Sequence, residues 1–125
     1  MRHEPALLAL RPDLNLDTAQ STPAEAFQNN TLRPLLKMQH DVLLHIFRHY
    51  IRKRKNVFLQ LAPKARLEYI AHSVRHDAAL RHLLAGAVVG HFTAAELAFF
   101  LENEADTMKR LADLTIQRLQ SNYEV

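Results

Sequence analysis

The chain has no cysteine, no tryptophan and only two glycines among its 125 residues. The lack of cysteine excludes disulfides, thiolate nucleophiles and cysteine-ligated zinc, and it is compatible with a reducing compartment. Two glycines allow few tight turns, which argues against a sheet protein with many hairpins. The last of the five prolines is Pro63, so nothing in the second half of the chain forbids continuous helix. These scarcities favour an all-helical protein.

Long hydrophobic runs are also missing from the sequence. Near the N-terminus the apolar run extends only from Ala6 to Leu10, which is too short for a signal-peptide core, and no other run could span a bilayer. We therefore expect a cytoplasmic protein that does not bind membranes. Hydrophobic residues make up 48% and charged residues 23% of the sequence, which is the composition of a globular domain and not of a disordered chain.

Capping signals and hydrophobic periodicity predict an all-α fold. We expect one bundle domain of about four to five helices at residues 22–125, preceded by a flexible N-terminal arm at residues 1–21. Thr22 and Thr93 each open a capping box whose glutamate stands three residues later. The predicted helices are 23–29, 31–53, one opened by Pro63, one from Asp77 to Gly90, and 94–120 with a bend allowed near Asn103.

One segment, Phe27 to Asp41 (FQNNTLRPLLKMQHD), interrupts the apolar stripe of its helix with polar residues. The structural interpretation is that Asn29 and Arg33 bond the backbone groups where two helices meet, while Gln39 bridges to a neighbouring helix. The functional interpretation is a ligand pocket in which Arg33 anchors an anion. We favour the structural interpretation. The binding candidates under the functional one are Asn29, Arg33, Gln39, His40 and His91.

The sequence contains eight histidines, so a metal site has to be considered. Two rows with i, i+4, i+8 spacing could face each other across a bundle and hold metal. At about 100° per residue, however, these rows lie on or near the polar sides of their helices. Solvated or i,i+4 paired side chains are the alternative, and we expect no cofactor. The rows are Asp41, His45 and His49, and Glu68, His72 and His76.

His91 differs from the other histidines because it continues the apolar face of the helix that precedes it. One interpretation is a partly buried histidine bonded to a backbone group near the turn. The other is a general base, since histidine titrates near neutral pH. We favour the first.

Charge is unevenly spread along the chain, whose formal net charge is +3. Residues 33–55 are strongly basic, whereas residues 93–125 carry an excess of acids. Segments of opposite charge can pair within one chain or between two chains. The basic segment ends in a basic patch, which either contacts phosphates or is a solvated helix end favoured by the helix dipole. We favour the helix end and expect no nucleic-acid partner. The basic patch comprises Arg48, Arg52, Lys53, Arg54 and Lys55.

We call the segment from Phe27 to Asp41 the polar stretch. Further short motifs accompany it, namely Tyr50, Asn56-Val57-Phe58, Tyr69-Ile70, Leu84 to Thr93 and Arg118 to Ser121. Together they resemble a family of small all-helical bacterial proteins, some of which carry the automatic label glyoxalase. The resemblance covers about residues 24–121 and implies a helical protein of similar length without an established activity. Glyoxalase I enzymes are built from βαβββ modules with metal ligands on strands. No such strand is expected here, so none of their site residues is carried over.

The first functional hypothesis is a non-catalytic helical interaction module that forms a homodimer or binds another protein. The second is a small-molecule or metal-dependent enzyme of the glyoxalase-labelled family, using His91 or the two histidine rows with Arg33 as the anion anchor. The third is a weak nucleic-acid binder acting through Arg48 to Lys55. The first hypothesis requires an exposed apolar surface, and the second requires its residues to converge in one cavity.

Overall fold

Three of the described α-helices begin at a residue whose side chain caps them, namely Thr22, Asp77 and Thr93. Thr93 accepts the Glu96 backbone N–H through its hydroxyl, and Glu96 Oε1 accepts the Thr93 backbone N–H at 2.8 Å, which completes a capping box. Thr22 accepts the backbone N–H of Glu25 at 3.1 Å in the same way. Since these side chains bond the N–H groups that a helix leaves unpaired at its start, they fix where each helix begins.

The computed structural model describes residues 3–14 and 21–122, and within them it contains helices and no strand. The predicted all-α class is therefore confirmed. A π-helical turn at Gln28–Leu32 joins the second helix to the third, and a 3₁₀ turn lies at Val57–Gln60. The α-helices are α1 (Glu4–Ala9), α2 (Pro23–Phe27), α3 (Arg33–Met38), α4 (His40–Lys53), α5 (Pro63–His76), α6 (Ala78–Val89), α7 (Ala94–Glu102) and α8 (Glu104–Ser121).

The described chain has more helices than the predicted four to five, because two long predicted helices are interrupted and α1 forms within the predicted arm. The helix expected at 31–53 leaves helical geometry at Gln39 (φ −91°, ψ 13°), which separates α3 from α4. The helix expected at 94–120 is interrupted at Asn103, whose side-chain amide donates to the Phe99 carbonyl at 2.9 Å. An asparagine that bonds a carbonyl of its own helix competes with the regular backbone ladder.

The junction of α2 and α3 is continuous, although the sequence suggested a helix end near Asn29. The chain stays helical from Pro23 to Met38 by way of the π turn. Pro34 accounts for the irregular geometry, because it has no N–H to donate and its ring crowds the carbonyl four residues earlier. A widened turn immediately before Pro34 relieves that crowding.

The bundle core is built from one apolar face of each long helix and closed by aromatic rings. Phe27 stacks on Phe99 with ring centroids 4.6 Å apart and meets Phe92 edge-on at 5.5 Å. In α4 the buried row is Leu43, Phe47 and Ile51. The neighbouring apolar residue Val42 is 42% exposed. It lies about 100° around the helix from Leu43 and so falls outside the row.

The described part of the N-terminal arm is attached to the bundle by polar contacts. Glu4 Oε2 accepts the Ala94 backbone N–H at the start of α7, at 2.7 Å. Of the described leucines of the arm, Leu8 and Leu10 are 51% and 61% exposed, whereas Leu7 and Leu14 are partly buried. In the described ranges, no helix combines the length and the apolar character needed to cross a membrane.

Candidate functional site

Glu96, the glutamate of the second capping box, is the centre of a polar network that joins three separate segments. Arg11 of the arm donates to both carboxylate oxygens, from Nη1 at 2.6 Å and from Nη2 at 2.7 Å. Thr31 of the π turn donates its hydroxyl at 2.9 Å, and the Thr93 backbone N–H donates at 2.8 Å. The Arg11 side chain is only 7% exposed and that of Glu96 16%. We call Arg11, Thr31, Thr93 and Glu96 the Glu96 network.

Hydrogen bonds offset the cost of sheltering the Glu96 carboxylate from water. Burial alone raises the pKa of Glu96, but the hydrogen bonds from Arg11, Thr93 and Thr31 outweigh it, and the pKa lies below its ordinary value. Arg11 Nη2 also donates to the His91 carbonyl at 2.8 Å, while its buried Nε has no partner within the described residues. The Glu96 network therefore ties the arm, the π turn and α7 together.

Gln39, at the break between α3 and α4, bridges to α6 as the structural interpretation predicts. Its amide nitrogen donates to the Ala87 carbonyl at 2.9 Å and lies 3.0 Å from His91 Nε2. The ring nitrogen accepts this bond only when it carries no proton. The His91 ring is therefore held by the Gln39 side chain and not by the backbone group near the turn that the sequence suggested.

Asn29 and Arg33 bond each other and not the backbone of helix ends. Arg33 Nε donates to Asn29 Oδ1, one turn earlier, at 3.0 Å. The prediction of backbone contacts is wrong because the helical path from α2 to α3 is continuous and leaves no helix ends to bond here. His40 likewise contacts a side chain, since Arg118 Nη1 of α8 lies 3.2 Å from His40 Nδ1. The side-chain contacts of both arginines are thus made to an amide and an imidazole and not to a carboxylate.

An open cleft of about 600 Å³ lies between α3 and α8. Arg33 and Lys37 line it from α3, and Arg118 lines it from α8. No acidic side chain belongs to its lining as far as the structure describes it. The remaining lining residues are three leucines, Leu14, Leu36 and Leu114, and three uncharged polar residues, Gln117, Ser121 and Asn122.

Within the described residues, the positive charges of this cleft are not compensated by ion pairs. Neither Arg33, Lys37 nor Arg118 takes part in a salt bridge with any described residue. Burial lowers the pKa of Arg118, and the charge of Arg33 lowers it further. Sheltered cations in proteins are usually paired. Of the sequence candidates, Arg33 lines the cleft and His40 contacts its Arg118. Gln39 and His91 belong instead to the contact with α6.

The basic patch lies at the end of α4 and in the turn that follows. Arg54 stacks over the Tyr50 ring at 3.8 Å and pairs with Asp77 at 2.8 Å. This pair is open to solvent and contributes little to stability. The rest of the patch is available to water or a partner. Arg48 is half-buried, and the exposed members are Arg52, Lys53, Arg54 and Lys55.

The two histidine rows do not form a joint site. The rings of His72 and His76 lie 4.5 Å apart, as the i,i+4 spacing on one helix dictates. Over residues 3–14 and 21–122, no group of three or more histidine, aspartate or glutamate side chains is arranged to hold a metal ion. All members of the rows are exposed, namely Asp41, His45, His49, Glu68, His72 and His76.

Helix α7 has a second apolar face, which points to solvent. On its inner side Phe100 is buried and packs edge-on against Phe92, with ring centroids 5.8 Å apart. On its outer side Leu97 is 38% exposed and Leu101 60% exposed. Exposed alanines continue this face, and the spacing of three or four residues aligns it along the helix. We call the row formed by Ala94, Leu97, Ala98 and Leu101 the α7 stripe.

Comparison of the chain with protein-family models, curated proteins and solved structures finds no match. The resemblance to the small bacterial family therefore stays a prediction, and the function has to be inferred from the surfaces and cavities of this chain. Sequence reasoning missed Arg11, Thr31 and Arg118. In the sequence each of them is only a charged or polar side chain, and this signal does not reveal its partners.

Proposed function

We propose that this protein is a non-catalytic helical interaction module that self-associates, most simply as a homodimer. The α7 stripe carries the proposal. A helix on the surface of a bundle normally has one apolar face, whereas α7 has two. Exposed leucines one turn apart form an apolar surface that a partner can cover. The proposal places the module in the cytoplasm, a reducing compartment with which a cysteine-free chain is compatible.

A second copy of the chain offers a surface of matching character. In the 3₁₀ turn after α4, Val57 and Leu59 are 48% and 45% exposed. The exposed cations of the basic patch precede them, whereas the exposed acids Glu102 and Glu104 follow the α7 stripe. Apolar contact between these two surfaces would be accompanied by attraction between opposite charges. This complementarity favours a second copy over an unrelated protein as the partner.

The test is the molar mass in solution, measured by light scattering after gel filtration over a wide range of protein concentration. We expect a dimer that dissociates on dilution. Leu101→Glu should shift the protein towards the monomer, because it places a charge within the α7 stripe. Val42→Glu is the matched control, since it introduces the same charge at an exposed apolar residue outside both surfaces, and it should leave the molar mass unchanged.

Two outcomes would contradict the proposal. One is a wild-type protein that remains monomeric at the highest concentration reached. The other is a dimer that Val42→Glu and Leu101→Glu weaken equally, since the α7 stripe would then not be the interface. Dissociation in high salt would support the contribution of the basic patch and the acids after the stripe, because salt screens exposed charges.

A further inference from the structure

We propose that the cleft between α3 and α8 binds a small organic anion, with a carboxylate or phosphate group placed between Arg33 and Arg118. This binding site goes beyond self-association and does not depend on it, since the α7 stripe contributes nothing to the lining of the cleft. Three features of the cleft support it, namely the orientation of the arginines, their uncompensated charge and the chemistry of the remaining lining.

Both guanidinium groups are oriented by residues of the chain itself. Arg33 Nε donates to Asn29 Oδ1 at 3.0 Å, and Arg118 Nη1 lies 3.2 Å from His40 Nδ1. Each guanidinium has several N–H donors, so each retains further donors for a ligand. Asn29 and His40 fix the two guanidinium groups. A carboxylate partner would neutralise their charge, but Asn29 and His40 do not. An oriented guanidinium binds carboxylate or phosphate oxygens through paired hydrogen bonds.

The uncompensated charge of the cleft determines the sign of the ligand. Arg33 and Arg118 are close enough for the charge of one to lower the pKa of the other. Lys37, one turn after Arg33 on α3, adds a third cation to the same cavity. Repulsion between like charges is stronger in a partly sheltered site than in water. An anion between them would replace this repulsion by attraction, so the cleft selects negatively charged ligands.

The remaining lining indicates an organic molecule and not a bare inorganic ion. The cleft volume of about 600 Å³ falls within the range of small-molecule sites, about 300–1,000 Å³. Leu14 provides an apolar contact in the lining, and Ser121 and Gln117 provide a hydroxyl and an amide. Ser121 donates its hydroxyl to the Gln117 carbonyl at 2.9 Å, so its oxygen still accepts a hydrogen bond. The ligand class is a small organic acid or phosphate ester.

The experiment is isothermal titration calorimetry at constant ionic strength with four probes. Benzoate and phenyl phosphate represent organic anions, and acetate and inorganic phosphate are their small counterparts. We expect saturable binding of at least one organic anion, tighter than that of its small counterpart. Arg118→Gln should weaken this binding about tenfold to a hundredfold, because it removes charge-assisted hydrogen bonds. Binding of one organic probe and not the other identifies the charged group as carboxylate or phosphate.

A second variant covers the case in which Arg118→Gln does not fold. Lys37 is exposed, so Lys37→Gln should fold normally and still weaken binding. Arg75→Gln is the matched control, because Arg75 is an exposed arginine of α5 outside the cleft, with Asp113 at 3.7 Å. It should bind the probes like the wild type. The proposal is overturned if no probe binds, or if the cleft variants bind the probes like Arg75→Gln. It is also overturned if both small anions bind as tightly as their organic counterparts, that is, inorganic phosphate as tightly as phenyl phosphate and acetate as tightly as benzoate.

Discussion

Arg11 and Arg118 are both partly or largely sheltered from water, yet their surroundings are opposite in charge. Arg11 pairs with both carboxylate oxygens of Glu96 and with a backbone carbonyl. Arg118 faces an imidazole nitrogen of His40 and lies near a second arginine, Arg33. The first charge is neutralised within the chain and holds the fold together. The charge of Arg118 has no carboxylate partner among the described residues and borders an open cleft, as expected of a binding site for an anion.

The polar stretch contributes residues both to the Glu96 network and to the cleft between α3 and α8. Thr31 bonds Glu96, while Arg33, two residues later, lines the cleft. In a helix, residues two positions apart point to roughly opposite sides. The question of whether this stretch is structural or functional therefore has a different answer on each side of the helix. One side belongs to the Glu96 network and the other to the proposed anion site.

The largest expected effect is the loss of the Glu96 charge. Glu96→Gln keeps the shape of the side chain but leaves Arg11 sheltered without a carboxylate, which should lower the free energy of unfolding by about 3–5 kcal/mol. Urea denaturation measures it. Glu25→Gln is the matched control, because Glu25 stands at the same position of α2, where its exposed carboxylate accepts the Thr22 hydroxyl at 3.2 Å. The control should lower the free energy of unfolding by less than about 1 kcal/mol. An equal decrease in the two variants would show that the Glu96 network contributes nothing beyond a helix cap.

The same carboxylate should make stability depend on pH in the acid range. Because the folded-state pKa of Glu96 lies below its ordinary value of 4.5, the unfolded chain takes up the proton first. The stabilisation is fully present above the unfolded pKa and is lost as the pH falls through the folded pKa. The difference in unfolding free energy between wild type and Glu96→Gln should therefore be constant near neutral pH and shrink below 4.5.

One other carboxylate has a lowered pKa and has to be separated from this effect. Asp77 accepts the Leu80 backbone N–H at the start of α6, and this bond is the main cause of its lowered pKa. Asp77 is present in both proteins, so its contribution cancels in the difference. A difference that stays constant down to the acid transition would mean that Glu96 is not the group that titrates.

A smaller effect is expected at the contact between Gln39 and α6. Gln39→Leu removes the hydrogen bond to Ala87 and the contact with His91, which should lower the free energy of unfolding by about 1–2 kcal/mol. Thermal or urea unfolding measures it. Gln60→Leu is the control, since Gln60 is exposed in the 3₁₀ turn, and it should change stability by less than about 0.5 kcal/mol. If both variants unfold like the wild type, Gln39 does not tie α6 to the polar stretch.

Local signals in the sequence were enough to predict the helical class and several helix starts. The threonine hydroxyls at 22 and 93 and the Asp77 carboxylate bond N–H groups three residues later, so the information for these caps is contained within one turn. The sequence allowed a bend near Asn103, whereas the break at Gln39 was not predicted, because neither residue forbids helix. At Asn103 a side-chain bond competes with the regular ladder, whereas at Gln39 the side chain bonds α6 across the bundle.

The candidate site could be predicted only in part. Arg33 and His40 stand out as polar residues on an apolar helix, but the third member of their group, Arg118, lies on α8, and His40 is 78 residues away from it. Arg11 and Glu96 are 85 residues apart. Hydrophobic periodicity shows which face of a helix is buried, but it does not show which charged side chains meet across the bundle. Those contacts decide whether the positive charge of an arginine is compensated.

The most direct measurement compares Arg11→Met with Arg118→Met in a buffer free of phosphate and carboxylate. Methionine keeps much of the apolar stem of each arginine and removes its charge. Arg11→Met should lower the free energy of unfolding by about 3–5 kcal/mol, because it leaves the Glu96 carboxylate sheltered and unpaired. Arg118→Met should lower it by less than about 1 kcal/mol, because the variant also removes the repulsion from Arg33. Equal losses in the two variants would contradict the division into a compensated network and an uncompensated cleft.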